Sequence, residues 1–361
     1  MSKLIDVSKL TYQEFWDLAQ MTDEEREKYI VENSKGKYSA EDVQKVVPMT
    51  FFEELCAVVI FLFGVPGSAF SIPVLFTLIG YFTKAYTISF SVMIGGGIIL
   101  SLLPAPFIEK SLSSWIALQL IKYFSFKGIF EERLKKGKPY ILVAPPHGVF
   151  PFGNILTMIA FPSIAGFSFR GLAASAALRA PIFRQLLCTI GAIDASRETA
   201  KRALDKNLTL GISTGGVAEV FETDLSPGGN EVIVLKDRVG LVKLAFRTGA
   251  SLVPCYLLGN THLLDIYCGG KQSSSFHKFL KWLSRKAGFA FILFWGRFFL
   301  PIPYRVPIVG VMAKPIEIPK KENPTNEELN HYHQLLQDEM VKLFNKHKES
   351  YGWGQKDLII T

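Results

Sequence analysis

Arg238-Val239-Gly240-Leu241-Val242-Lys243-Leu244-Ala245-Phe246-Arg247-Thr248-Gly249-Ala250-Ser251-Leu252-Val253-Pro254-Cys255-Tyr256-Leu257-Leu258 runs a helix into a strand through one glycine. The helix is expected over Asp237 to Thr248, ending at Gly249, since glycine takes the left-handed C-terminal position without penalty. Leu252 to Leu258 is a short apolar run, the pattern of a buried strand. Working outward, Tyr140 to Ala144 is a second such run, ended by Pro145-Pro146, and Leu208 to Ile212 is a third, followed by Gly215-Gly216. Val232 to Leu235 offers a fourth. Strands alternating with helical stretches predict an α/β domain over 109–361, a mixed sheet with flanking helices.

Upstream the character changes. Leu55 to Thr83 carries no charge, Lys84 follows, and Ala85 to Ile108 again carries none. Each run exceeds the ~20 residues a helix needs to cross hydrocarbon. Residues 49–108 are therefore expected to form a transmembrane or re-entrant hairpin of two helices, with Gly64, Pro66, Gly67 and Pro73 bending the first. The Lys/Arg-rich stretch 110–138 marks the side of the following domain as cytoplasmic. Residues 1–48 are polar and acidic, without a cleavable leader, and read as a surface tail with a short helix from Asp23 to Ile30.

Hydrophobic residues make up 49% of the 361, charged ones 20%, and mean hydropathy is +0.24. That is too apolar for an ordinary soluble enzyme and too polar for a many-span transporter. The net charge of +8 divides unevenly, about −5 over residues 1–54 and +13 beyond them. A basic body suits an anionic bilayer surface or a phosphate-bearing ligand. Cys56, Cys188, Cys255 and Cys268 make neither a close pair nor a metal spacing, and read as free thiols. Two downstream segments bear on membranes and core. Ser275 to Ala287 gathers Phe276, Phe279, Leu280, Leu283 and Ala287 on one face, with Lys278, Lys281, Arg285 and Lys286 mostly off it, as a helix in an interface or packed on the surface would. The last helix opens on a Thr325/Glu328 capping box, and its Leu329, Tyr332, Leu336, Met340 and Leu343 stripe is core.

Two strand-end loops carry the chemistry. Pro146-His147-Gly148 follows a buried strand, where side chains reach the rim of a sheet. A neutral imidazole there can take a proton from an attacking hydroxyl, help worth ~10²–10⁴ in rate. Gly215-Gly216-Val217-Ala218-Glu219 follows another strand. Its glycines, with Gly148, can offer amides to an oxyanion or phosphate, and Glu219 can orient the imidazole as the acid of a triad does. Arg238, Lys243 and Arg247 on the long helix suit an anionic ligand; Arg238 sits at the helix start, where the dipole disfavours cations. The same residues admit another chemistry. Gly211-Ile212-Ser213-Thr214-Gly215 fits a nucleophile elbow, so Ser213 could serve a membrane-associated lipase or esterase, with Asp237 or Asp265 and His262, His277, His331 or His333 completing a triad.

Taken together, Pro146-His147-Gly148, Gly215-Gly216-x-x-Glu219 and the Arg238 to Pro254 block resemble the type-2 diacylglycerol acyltransferase family, which includes monoacylglycerol acyltransferases and wax-ester synthases. The resemblance covers roughly residues 50–361. Animal members carry His-Pro-His-Gly where this chain has Pro145-Pro146-His147-Gly148, so the first histidine is missing. The wider glycerolipid acyltransferases place Asp five residues after the histidine, where this chain has Phe152. The resemblance implies an acyl-CoA-dependent O-acyltransferase making neutral lipid, most simply triacylglycerol from diacylglycerol. His147 would be catalytic, Glu219 would assist, and Arg238, Lys243 and Arg247 would meet the phosphates of acyl-CoA. It implies no metal and no cofactor, acyl-CoA being a substrate. The expected partners are acyl-CoA, diacylglycerol or another lipid alcohol and the bilayer, with no nucleic acid and with homo-oligomerisation left open. The implied location is the endoplasmic reticulum membrane, the catalytic domain facing the cytoplasm, and lipid droplets.

Overall fold

A computed structural model describes residues 2–222, 229–267, 275–287 and 291–361; the side chains of Val217, Ser275, Phe276, His277, Arg285 and Ala287 are not described. The expectations for Cys268, and for Phe276, Arg285 and Ala287 in the amphipathic helix, lie outside the described residues and side chains. In chain order the strands are β1 (Lys3–Ile5), β2 (Lys127–Phe130), β3 (Tyr140–Val143), β4 (Arg170–Ala173), β5 (Ile193–Asp194), β6 (Leu210–Ile212), β7 (Glu231–Ile233), β8 (Ser251–Leu258), β9 (Asp265–Ile266), β10 (Phe294–Trp295), β11 (Val309–Met312) and β12 (Leu358–Ile360). Among the described residues, eight of them form one sheet in the order β1-β2-β11-β8-β3-β6-β4-β5. β8, β3, β6, β4 and β5 run parallel, while β11 is antiparallel to β8 and β1 to β2. The sheet is mixed, as expected.

Helices cover both faces, and the alternation of side chains along a strand sorts them. Ile141 and Val143 of β3 join Val242 and Phe246 of the Val239–Thr248 helix and Leu336 and Phe344 of the Asn326–Lys348 helix in one core. Tyr140 and Leu142 point the other way, to Met158 and Phe161 of the Phe152–Ala165 helix. The Thr325 cap is formed, its hydroxyl accepting the Glu328 N–H at 3.2 Å.

Three expectations change. Residues 1–48 are no surface tail: β1 is the edge strand of the sheet, and Phe15, Leu18 and Ile30 are buried in the core. The pattern misleads because the segment's many charges outweigh a few apolar residues, Ile5, Val7, Phe15, Leu18 and Ile30 among them, that join one core cluster. The strand expected at Val232 to Leu235 forms as β7, but pairs with β12 in a separate ribbon. The first apolar run is two helices, Phe51–Phe63 and Ser68–Thr83, broken at Gly64–Gly67 and meeting at 86°. A Cβ on Gly67 would lie 2.3 Å from the Phe61 carbonyl oxygen, so this tight break requires glycine. Tyr86–Leu102 then folds back on Ser68–Thr83. Among the described residues no single helix is long and apolar enough to cross a membrane; the bent pair passes by length and composition together.

Candidate active site

β8, β3 and β6 are parallel neighbours, so the loops leaving their C-terminal ends meet along one rim of the sheet. In parallel α/β sheets this rim is where ligands bind. The loops are Pro145–Gly148 after β3, Ser213–Gly216 after β6, and Gly259-Asn260 after β8.

The first loop is tied down on every side. Leu257 N–H donates to the Pro145 carbonyl at 2.9 Å. Buried Asn260 donates from Nδ2 to the carbonyls of Pro146 and His147, both at 2.9 Å, and accepts the Gly153 N–H on Oδ1 at 2.8 Å. Gly148 is left-handed at φ +63°, and a Cβ there would fall 2.6 Å from the Asn260 carbonyl oxygen. Only glycine satisfies both demands.

His147 Nδ1 lies 2.9 Å from the Gly148 carbonyl oxygen. A carbonyl only accepts, so Nδ1 carries the proton and Nε2 keeps a free lone pair. The ring is packed round by protein yet half-buried, because one side faces a cavity. Burial lowers its pKa, partly offset by the Gly148 bond, so the imidazole is neutral near pH 7 and able to act as a base.

Glu219 differs from expectation. Its Oε2 accepts the main-chain N–H of His147 at 2.5 Å and its Oε1 that of Val234 at 3.0 Å. The carboxyl reaches under the loop from the short Val217–Glu222 helix and grips the backbone of residue 147, while the ring's own bond goes to Gly148. Glu219 thus holds the main chain of residue 147, where the sequence reading had it facing the ring. It is fully buried, which pushes its pKa up to about 7; the two N–H bonds and the nearby Arg238 charge oppose that rise. A Cβ on Gly215 would fall 2.1 Å from Glu219 Cγ, so that glycine makes room for the carboxyl.

Among the described histidines, none of the expected partners gives Ser213 a base. Ser213 Oγ is buried beside the Glu219 carboxyl, but makes no hydrogen bond of good geometry. Of the other described histidines, His262 contacts Thr261 and Lys356, His331 packs on Tyr332, and His333 bonds Leu235 and Gln337. None of them lines the cavity that holds His147 and Ser213. Tyr304, not a histidine, bonds Asp265 at 2.6 Å; His277 lies outside the described side chains.

That cavity has a volume of about 640 Å³ and runs between the sheet and the Phe152–Ala165 helix. Its wall is mainly apolar, including Leu142, Met158, Phe161 and Leu257, while His147, Ser213, Thr214, Gly215, Gly216 and Arg238 form its polar end. A large apolar pocket with a few convergent polar groups is the form of a site for a long apolar ligand. Gly215 and Gly216 line it; Gly148 does not, being pressed on Asn260. Of the three expected phosphate contacts, Arg238 is exposed at the cavity, and Lys243 is exposed further along the helix. Arg247 is not brought to the site: it lies in the last turn, 3.9 Å from Glu322.

Sequence reasoning missed Asn260 and, behind it, a buried cluster. Thr261 Oγ1 donates to Glu231 (3.1 Å), Tyr256 OH donates to Glu231 (3.2 Å), and Lys356 Nζ pairs with Glu231 at 3.1 Å. Glu231 opens β7, whose next residue, Val234, holds Glu219, and β12 braces β7 from the far end of the chain. No local motif marks these residues, because their meaning depends on partners up to 125 positions away.

Residues 107–361 match the family described as Diacylglycerol acyltransferase. The chain is similar to Diacylglycerol O-acyltransferase 1 of Eremothecium gossypii, 33% identical over 62% of this chain and 50% of that protein. It is also similar to Diacylglycerol O-acyltransferase 2 of Homo sapiens, 31% identical over 66% of this chain and 64% of that one. Acyl-CoA wax alcohol acyltransferase 2 of Homo sapiens is 30% identical over 64% and 72%. The chain thus spans half to just under two thirds of the two diacylglycerol relatives.

Proposed function

The chain belongs to the diacylglycerol acyltransferase family, and from that premise we propose that it moves the acyl group of an acyl-CoA onto the hydroxyl of a lipid alcohol, diacylglycerol first. The carrying observation is His147, whose Nδ1 is fixed by Gly148 so that Nε2 is the free base, at the polar end of a long apolar cavity. The acyl chain lies in the cavity with its thioester at the polar end. Nε2 takes the proton of the acceptor hydroxyl, whose oxygen attacks the thioester carbon. Amides of the Gly215-Gly216 loop stabilise the oxyanion, and the C–S bond breaks to release CoA thiolate, which recovers the proton from the imidazolium. A thioester is already activated, so no acyl-enzyme is required. Arg238 at the cavity and Lys243 beyond it attract the CoA phosphates. The reaction takes place at a bilayer surface of the endoplasmic reticulum or a lipid droplet, from the cytoplasmic side.

The test is purified full-length protein with labelled acyl-CoA and a panel of acceptors: diacylglycerol, monoacylglycerol and fatty alcohol. Triacylglycerol should be the main product; a wax ester in its place would reassign the acceptor. His147→Ala should lower turnover about 10²-fold or more, and Ser213→Ala should keep most of it. A folded but inactive Ser213→Ala beside a near-normal His147→Ala would overturn the mechanism in favour of a serine hydrolase.

A further inference from the structure

The geometry points to a second membrane contact in this chain: the turn at 296–300 is a rigid aromatic finger that inserts Phe298 and Phe299 into the apolar layer of a lipid bilayer beside the cavity. This rests on the reading that the protein works at a bilayer, and adds to it where the catalytic domain itself engages lipid.

Phe298 and Phe299 are 72% and 87% exposed, and both are left-handed, at φ +59° and +56°. Two adjacent bulky residues in that region are unusual in themselves. They are displayed, not loose. Gly296 N–H donates to the Leu300 carbonyl and Arg297 N–H to the Ile302 carbonyl, both at 2.8 Å, and Ile302 is buried. The Arg297 guanidinium bonds Glu54 in the Phe51–Phe63 helix at 2.6 Å and Tyr123 OH at 3.2 Å. The base of the turn is thus pinned to the first apolar helix while the tip stands out.

The surroundings select lipid as the occupant. Phe294 packs edge-on against Phe70 of the Ser68–Thr83 helix, ring centroids 5.8 Å apart, so the finger continues the apolar surface that this helix turns outward through Val74, Leu78 and Phe82. Phe51 and Phe52, on the helix that holds Arg297, are exposed as well. An apolar surface this extended is uncommon on a protein that meets only water. Elsewhere on the described surface, on the Ser275–Ala287 helix, Phe279 and Trp282 are exposed together with Lys278 and Lys286. Aromatic and basic side chains side by side match the apolar and anionic layers of a bilayer. A second copy would set the same cations against each other. Behind the finger, Ile292 and Phe294 line the cavity. A bilayer engaged there reaches the cavity without the acceptor crossing water.

The test uses full-length protein in phosphatidylcholine–phosphatidylserine vesicles carrying a lipid with a mid-chain diazirine. After irradiation, mass spectrometry should find lipid on Phe298 and Phe299. Label confined to the helices within 51–102 would overturn the proposal, as would chain-to-chain cross-links at 291–300 in place of lipid. This readout needs no turnover, so it stands or fails apart from the acyltransfer reading. A Phe298→Asn/Phe299→Asn variant, with residues that tolerate the left-handed backbone, should raise KM for long-chain diacylglycerol in vesicles severalfold, with KM for acyl-CoA unchanged. An equal loss with a short-chain acceptor dissolved as monomers would also overturn it.

Discussion

At the scale of single residues, the site depends on two glycines as much as on its histidine. Gly148 lets the loop turn against Asn260, and Gly215 leaves space for Glu219. Gly215→Ala puts a methyl group where the carboxyl stands, so Glu219 must leave and the N–H groups of His147 and Val234 lose their acceptor. Turnover should fall at least tenfold with KM for acyl-CoA little changed, because the loss is in aim, not in binding. A Gly215→Ala enzyme with wild-type kcat would show that Glu219 does not position the loop. Arg238 is exposed at the cavity, and its proposed role is in binding. Arg238→Ala should raise KM for acyl-CoA about tenfold to a hundredfold, the worth of a charge-assisted contact, while Arg247→Ala, far along the helix and beside Glu322, should leave it unchanged. Equal KM changes for acyl-CoA and acceptor would indicate altered folding instead.

At the scale of elements, β12 supports the loop that carries His147. β12 pairs with β7, and Lys356 just before it carries the charge facing buried Glu231. Lys356→Met leaves that carboxylate without its cation, a change that costs about 3–5 kcal/mol for a buried pair. The cost should depend on pH. Burial already raises the pKa of Glu231 while Lys356 opposes the rise, so removing the lysine raises it further. A carboxyl with a raised folded pKa stabilises the fold at low pH and loses that contribution as pH rises through the folded value. His262 is lowered to about 4 by burial and then by Lys356. Without the lysine it is lowered less, which relieves the fold at acidic pH. Both effects run the same way: denaturant titration should find the variant's deficit larger at pH 8 than at pH 5. A deficit that shrinks with rising pH would contradict this account of the cluster.

At the scale of the whole molecule, the apolar segment splits into a part that belongs to the core and a part that does not. Phe61 packs against Tyr123, Phe124 and Phe152, with ring centroids 4.9, 5.6 and 5.4 Å away, so the Phe51–Phe63 helix is structural. Ser68–Thr83 and Tyr86–Leu102 pack mainly on each other and turn apolar side chains outward. The informative deletion therefore removes 68–102 and keeps 51–63. Full-length protein should resist alkaline carbonate extraction from membranes. The deletion should be largely extractable, with a residue retained by the aromatic finger. Full-length protein released by carbonate would refute the anchoring role.

The class of fold was legible from residues alone, because buried parallel strands must be apolar along their whole length and the intervening helices end at recognisable residues such as Gly249. The place of His147 at a strand end was legible too, since a histidine after a proline-stiffened strand end stands out locally, and it does line the cavity. The remainder depends on packing between distant parts of the chain. A carboxylate three residues past a glycine pair reads equally well as a partner for a ring or for a backbone N–H, and only the packing of the Val217–Glu222 helix under the loop selects the second for Glu219. The same holds for Asn260, whose three hydrogen bonds reach 107 to 114 residues back along the chain. The acidic N-terminal segment joins the sheet through β1, and β7 leaves it for β12, because strand pairing is a contest among all available edges, and no edge is visible from the strand's own residues.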